Sequence, residues 1–269
     1  MNNLLLNFLQ GDRILDSIDT DIYLQSMAKL KTFKKLVCVH NVSKENIEKL
    51  KKYYDFIVPV EESLFPFNFC YLSYYNWLCE NGSEFDYVMH CDMRDVILQK
   101  DPFEFMKNQT GKELFLVCEG MKISENNCNQ TWHEWVLKTL AFKNERYDDA
   151  YILNGGTYGG KTNAFLSYCT LILTAMNRRY SYAIPDQAML GYLYKHLKKN
   201  PNVMLCHPYT DVFCATGEAI KWGNIKVKFD ENCVTNLEDQ QYYLFHQWDR
   251  TEFAEKLRNK EKSKLRFSI

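Results

Sequence analysis

Two carboxylates that close an apolar run are the first residues here with the makings of a chemical site. In Tyr87-Val88-Met89-His90-Cys91-Asp92-Met93-Arg94-Asp95-Val96, a strand-like stretch stops in Asp92 and Asp95, with Arg94 between them. The pattern predicts a strand over 87–90, with both acids at the carboxyl edge of a sheet, where open α/β sheets bind ligands. Like charges this close stay ionised only beside a cation. Arg94 is one such cation; a hard divalent ion, Mn²⁺ or Mg²⁺, is another, and it would clamp a substrate's phosphates. The competing reading is a solvated turn in which Arg94 pairs with either acid.

Three other segments carry comparable signals, each with a plainer alternative. Gly155, Gly156, Gly159 and Gly160 are four of the chain's 11 glycines within six positions. They permit close approach of backbone to a ligand, or simply a bulged strand or tight turn. They do not form G-x-G-x-x-G, and no G-x-x-x-x-G-K-[ST] is present, which argues against a Rossmann dinucleotide site and a P-loop ATPase. His246, in Leu244-Phe245-His246-Gln247-Trp248-Asp249-Arg250, is either a third metal ligand or a hydrogen-bonded structural histidine. Asp186 follows Pro185 and precedes Gln187. It is a helix cap, or its carboxylate and the Gln187 amide face a substrate hydroxyl or an anomeric carbon.

The elements that must position these groups alternate. Strands are predicted over 4–9, 36–40, 56–60 and 87–90, with helices over 19–33, from Ser43 to Tyr53, and over 69–79. That alternation indicates βαβ units and a parallel core with helices on both faces. The second half is less regular. Strands are predicted over 114–118, 151–153 (ending in Asn154-Gly155-Gly156), 203–206 and 242–245, and helices over 131–142, 162–176 and 186–197. No repeat and no linker-like stretch breaks the chain, so one α/β domain over 1–250 is expected, followed by a basic tail over 251–269.

Composition bounds the function. With 33 Lys+Arg against 34 Asp+Glu the formal charge is −1, which removes the bulk attraction that nucleic-acid binding needs. The ten cysteines include no C-x-x-C pair, and several lie in apolar runs. They are expected as buried free thiols, with no zinc site, in a reducing, cytoplasmic setting. No run approaches the ~18 apolar residues that span a bilayer.

Taken together and in chain order, the acid pair, Asn154-Gly155-Gly156, Asp186-Gln187 and the late His246 resemble the metal-dependent GT-A glycosyltransferases, closest to the glycogenin and lipopolysaccharide galactosyltransferase type. Asp92-Met93-Arg94-Asp95-Val96, continuing to Asp101-Pro102-Phe103, is similar to the D-x-R-D-V…D-P-F stretch of related transferases. Phe245-His246-Gln247-Trp248-Asp249-Arg250 is similar to their H-Q-Y-D-R ending. The resemblance runs from about Leu4 to Arg250 and implies a single GT-A domain, a mixed, mostly parallel sheet flanked by helices.

It also implies roles. Asp92 and Asp95 stand where the family's D-x-D holds Mn²⁺ and the donor's ribose, with His246 as the late metal ligand. The family acids are two apart and these are three apart, so a turn must join them; alignment on Val96 makes Asp95 the direct ligand. Gln10, Gly11, Asp12 and Arg13 occupy the nucleotide-base position, and Arg94, Asn154, Gly155 and Gly156 are expected to face the donor. Asp186 and Gln187 lie by the transferred sugar, with Asp186 the residue that steadies positive charge or takes a proton.

Trp132, His133 and Trp135 are acceptor-binding candidates, the rival being that both indoles are core. The basic run Lys256–Arg266 either touches an anionic leaflet holding a lipid-linked acceptor or is a solvated, partly frayed end. The expected partners are a nucleotide-sugar donor (a UDP-sugar) and a glycan or lipid-linked acceptor. A sugar nucleotidyltransferase, or a non-catalytic sugar- or nucleotide-binding module, are the alternatives. The former should carry a Gly-rich basic loop after the first strand, where this chain has only Gly11 and Arg13.

Overall fold

A computed structural model describes residues 2–61, 69–139, 149–177, 186–230 and 233–266. Its strands are β1 (Asn3–Gln10), β2 (Lys34–His40), β3 (Phe56–Pro59), β4 (Tyr87–Cys91), β5 (Val96–Leu98), β6 (Leu114–Lys122), β7 (Tyr151–Lys161), β8 (Val203–Cys206), β9 (Cys214–Thr216), β10 (Lys228–Phe229), β11 (Val234–Thr235) and β12 (Leu244–His246). Its helices are α1 (Ile18–Lys29), α2 (Lys44–Leu50), α3 (Phe69–Asn81), α4 (Pro102–Lys107), α5 (Asn127–Thr139), α6 (Thr162–Asn177), α7 (Asp186–Lys199), α8 (Gly217–Lys221) and α9 (Ala254–Arg266).

Seven strands form the main sheet in the order β3-β2-β1-β4-β7-β6-β8. The pairs β1–β2, β2–β3, β1–β4 and β6–β8 are parallel, whereas β7 runs antiparallel to both neighbours, β4 and β6. The inner strands β1, β2, β4 and β6 are buried on both faces, which is why they read as unbroken apolar runs rather than alternating ones. In β1, Leu4 and Leu6 enter one core with Tyr71, Tyr74 and Phe165. Leu5 and Leu9 enter the other with Tyr23, Met27 and Phe103. All ten cysteines are free, six of them buried, as expected of small apolar residues. No helix among the described residues is long and apolar enough to cross a membrane.

Three differences from the sequence reading bear on the site. First, the strand predicted to end at Asn154 continues through all four glycines to Lys161. Gly159 and Gly160 are packing residues: a Cβ on Gly159 would lie 2.6 Å from Met106 Cε, and one on Gly160 would strike the Glu113 carbonyl oxygen. Second, a small sheet of order β5-β12-β9 adds two strands that the sequence reading lacks, β5 and β9, because three-residue strands carry no period to detect; its middle strand, β12, overlaps the strand expected over 242–245.

Third, the basic run expected as a frayed end is the helix α9, docked on α1. Arg258 donates Nε and Nη2 to the two Asp19 carboxylate oxygens, both at 2.7 Å, and lies 5.4 Å over the Trp248 ring. The predicted helix over 131–142 begins earlier, at Asn127, and its last residues, 140–142, lie outside the described residues, as does Pro185.

The bidentate pair is 10% exposed on the Asp19 side and 35% on the Arg258 side. A charged pair of that geometry, partly wetted, contributes about 1 kcal/mol. Urea unfolding of Arg258→Ala is expected to show that loss with an unchanged slope. No loss would return Lys256–Arg266 to the frayed end read from sequence.

Candidate functional site

Register brings the three candidate metal ligands together. β4 pairs with β7 so that Cys91 faces Thr157, and the ladder continues one step as the Asp92 N–H donates to the Gly156 carbonyl at 2.8 Å. Asp92 is thereby delivered to the carboxyl edge of the main sheet. The small sheet delivers the other two: β12 pairs with β5 with His246 opposite Val96, immediately beside Asp95. One ligand atom from each of Asp92, Asp95 and His246 falls within 4.8 Å of the others. The turn needed to join acids three apart is present between β4 and β5.

The individual contacts give each group a role. His246 Nε2 lies 3.4 Å from Asp95 Oδ1 and 3.8 Å from Asp92 Oδ2. The other ring nitrogen, Nδ1, is 2.9 Å from Thr157 Oγ1, which fixes the ring with Nε2 toward the carboxylates. Arg94 Nη2 reaches Asp95 Oδ2 at 3.8 Å and Asp249 Oδ2 at 3.5 Å, so the plain pairing of Arg94 with an acid also holds, on the oxygen that His246 does not use. His90 Nε2 is 3.5 Å from Asp92 Oδ1. Asp92 is half exposed, whereas Asp95 and His246 are buried.

These residues fit a hard divalent ion. Two carboxylates and one oriented imidazole are a suitable donor set for Mn²⁺ or Mg²⁺. Gly156 leaves the space: a Cβ there would lie 2.6 Å from Asp92 Cγ and 2.8 Å from His246 Cε1. Gly155 does the same for Asp186, whose Oδ2 would be 2.8 Å from a Cβ. The glycine cluster therefore divides by function, with the first two clearing the site and the last two packing the sheet.

Behind the ligands, Asp186 opens α7. Its Oδ1 accepts from the Gln187 N–H at 2.7 Å and its Oδ2 from the Tyr71 hydroxyl at 3.0 Å, so it stands at the first position of α7 with both oxygens held. Burial pushes its carboxyl pKa up; the Gln187 N–H and Tyr71 bonds oppose that, and the Asp92 charge adds to it. A cavity of about 260 Å³ is lined by Phe8, Cys70, His90, Asp92, Gly155, Gly156, Asp186 and Gln187. Asp92 and Asp186 thus share one wall-to-wall space, of a size for a sugar-like group.

Other expected residues fall at varied distances from this chemistry. Gln10 ends β1 and Gly11, Asp12 and Arg13 follow it at the same sheet edge, but Asp12 Oδ1 accepts the Ser43 N–H at 2.9 Å and the Gly11 N–H is held by the His40 carbonyl at 2.8 Å. Asn154 is buried, its amide donating to Glu119 Oε1 at 2.9 Å and its Oδ1 accepting from the Gly156 N–H at 2.8 Å. On α5, Trp132 packs partly against the core, His133 is buried and Trp135 is 40% exposed. None of the three lines the 260 Å³ cavity; α5 reaches the site through Asn129, whose Oδ1 accepts from Gln187 Nε2 at 3.3 Å.

Sequence reasoning missed Glu119, Tyr71, Thr157, Asn129 and Gln247. Each sits in an apolar or aromatic run, or beside a stronger signal, and no spacing sets it apart.

Two sheets, with the acid pair at the edge of the larger and the histidine on the smaller, define the chain as a GT-A fold. It is similar to the crystal structure of an active-site mutant of LgtC, with TM-score 0.59 and 10% identity over 98% of this chain and 96% of that one. It is similar too to the galactosyltransferase LgtC in complex with donor and acceptor sugar analogues, with TM-score 0.55 and 11% identity over the same shares. No protein-family model and no curated protein matches the sequence.

Burial disfavours a charged His246, but the Asp95 and Asp92 carboxylates outweigh it and lift its pKa above the ordinary histidine value. Asp95 is correspondingly held below the ordinary carboxylate range: burial would raise it, and the facing His246 wins. Without metal, this pair stabilises the fold fully only between about pH 4 and about pH 6.5: the Asp95 share is lost as pH falls toward about 2, and the His246 share as pH rises through its raised pKa. Metal needs the neutral ring, so its affinity moves the other way. The thermal-shift gain from saturating Mn²⁺ is expected to grow between about pH 6 and about pH 8, and to be small and flat in His246→Gln. Equal gains at both pH values in the unaltered protein would contradict the assignment.

The glycine argument gives a second test. Gly156→Ala is expected to cost at least about tenfold in Mn²⁺ affinity by titration calorimetry, since it crowds both Asp92 and His246. Unchanged affinity would mean that the metal lies elsewhere.

Proposed function

We propose that this chain is a metal-dependent glycosyltransferase that moves a sugar from a nucleotide-sugar donor, a UDP-sugar in the first instance, to a glycan or lipid-linked acceptor. The observation that carries the reading is the meeting of Asp92, Asp95 and His246 at a sheet edge, next to a cavity that also holds the Asp186 carboxylate. Likeness to LgtC, solved with donor and acceptor sugar analogues, supports the same reading.

Asp95 and His246, buried and mutually oriented, with Asp92 at the exposed rim, would hold Mn²⁺ or Mg²⁺. When bound, such an ion neutralises charge on a diphosphate leaving group as a Lewis acid. The protein does the rest. Asp186 faces Asp92 across the cavity and is fixed by Tyr71 and the α7 backbone, so a carboxylate stands where an anomeric carbon gains positive character. The same carboxylate, with its pKa raised by burial, is suited to take the proton of an incoming hydroxyl. Arg94, half exposed beside Asp95, is placed to meet a phosphate. Phe8, near the end of β1, supplies an apolar wall to the cavity.

Calorimetry of UDP binding in Mn²⁺ tests this directly. Asp95→Asn is expected to weaken binding by at least about 100-fold, since loss of an outer-shell partner alone costs 10–100-fold. Its melting temperature without metal should fall as well, because the buried His246 loses the anion that faces it, so affinity is read at a temperature where the variant is folded. Asp186→Asn should bind UDP as the unaltered protein does, yet lose slow hydrolysis of the UDP-sugar. Equal UDP affinity with and without Mn²⁺ in the unaltered protein would overturn the metal-dependent reading.

A further inference from the structure

Glu119 is the least expected charge in the molecule. It is 2% exposed, lies in the apolar strand β6, and makes no ion pair among the described residues, with His246 and Arg250 acting on it only through space. Its Oε1 instead collects three side-chain amides: Asn154 Nδ2 at 2.9 Å, Gln247 Nε2 at 2.9 Å and Gln187 Nε2 at 3.2 Å. The backbone is bent to aim it there. The β6–β7 pairing loses register between Leu116 and Cys118 and again between Cys118 and Lys122, and bulges of this kind re-aim side chains. Gly120, directly after Glu119, has φ +72°, a conformation that favours glycine.

Each of the three amides belongs to a segment that carries the site. Gln247 follows His246 and holds a left-handed φ of 57°, a strained value for a side-chain-bearing residue that persists only where surroundings over-determine it. Gln187 follows Asp186, and its Nε2 also reaches Asn129 Oδ1 at 3.3 Å. Asn154 holds the Gly156 N–H, and the Gly156 carbonyl in turn accepts from Asp92. One buried carboxylate oxygen therefore joins the β7, α7 and β12 limbs. An amide can flip end for end at little steric cost; an anion admits only the N–H end.

We propose that Glu119 is a positioning residue: its buried charge locks the amides of Asn154, Gln187 and Gln247 in one orientation, and so fixes Asp92, Asp186 and His246 relative to one another. This rests on the glycosyltransferase reading only for its catalytic consequence.

The test is Glu119→Gln, which keeps the shape and removes the charge. Three quantities are read: the side-chain amide signals of Asn154, Gln187 and Gln247 in ¹H–¹⁵N spectra, the Mn²⁺ affinity, and kcat and KM for UDP-sugar hydrolysis. The three amide signals are expected to move, Mn²⁺ affinity to fall by about tenfold, and kcat by about tenfold or more with little change in KM, in the range seen when residues behind metal ligands are lost.

Amide signals at their original positions would overturn the proposal, as would moved signals with unaltered Mn²⁺ affinity. Should the variant fail to fold, Glu119→Asp, which keeps the charge on a shorter arm, is read in the same way with smaller changes expected. If the unaltered protein turns over no sugar nucleotide, the glycosyltransferase reading falls. The spectra and the Mn²⁺ affinity still decide the role of Glu119.

Discussion

Four carboxylates, those of Asp92, Asp95, Glu119 and Asp186, are held at one edge of a largely parallel sheet, and their mutual repulsion is the constraint that the surrounding structure answers. Three of them are answered from within the protein. Asp95 has His246 and Arg94, Glu119 has three amides, and Asp186 has Tyr71 and the Gln187 N–H of α7. Asp92 is the exception, half exposed and, among the described residues, with the imidazoles of His90 and His246 at 3.5 and 3.8 Å. With Asp95 and His246 beside it, it completes a cluster that could hold a cation.

The architecture follows from that constraint. A parallel sheet alone would present only Asp92 and the residues after β1. The antiparallel insertion of β7 brings Gly155 and Gly156 alongside Asp92 without side chains in the way. The small sheet β5-β12-β9 carries His246 to Asp95 by register alone. Neither device burdens the core: the two large apolar clusters lie on opposite faces of the main sheet, and the site lies at its edge.

The main sheet was legible in the sequence because strands buried on both faces are written as apolar runs such as Leu4-Leu5-Leu6, and β8 was found at its actual bounds, Val203–Cys206. The site was legible where an acid or a histidine interrupts such a run, as at Asp92, Asp95 and His246, or opens a helix, as at Asp186. What stayed hidden is physical in origin. The two- and three-residue strands β5, β9, β10 and β11 have no period. Continuation of β7 through four glycines contradicts their usual role as chain punctuation, and is settled by packing against Met106 and Glu113 that no local pattern records. The helix α9 has charges on most of its positions and is held by contacts remote in sequence, the bidentate Arg258–Asp19 pair, a Gln25–Glu261 hydrogen bond and packing of Ala254 and Leu257 in the third apolar cluster. Glu119, between Cys118 and Gly120, differs from its neighbours only in being an acid inside a strand, and its three partners come from three other segments.

Electron spin-echo spectroscopy of the Mn²⁺-loaded protein tests the central claim most directly, since it detects nitrogen bonded to the metal. One imidazole coupling is predicted, absent in His246→Gln and retained in His90→Gln. A Mn²⁺ signal without any nitrogen coupling, or one that survives loss of His246, would contradict the convergence of these segments on a single cation.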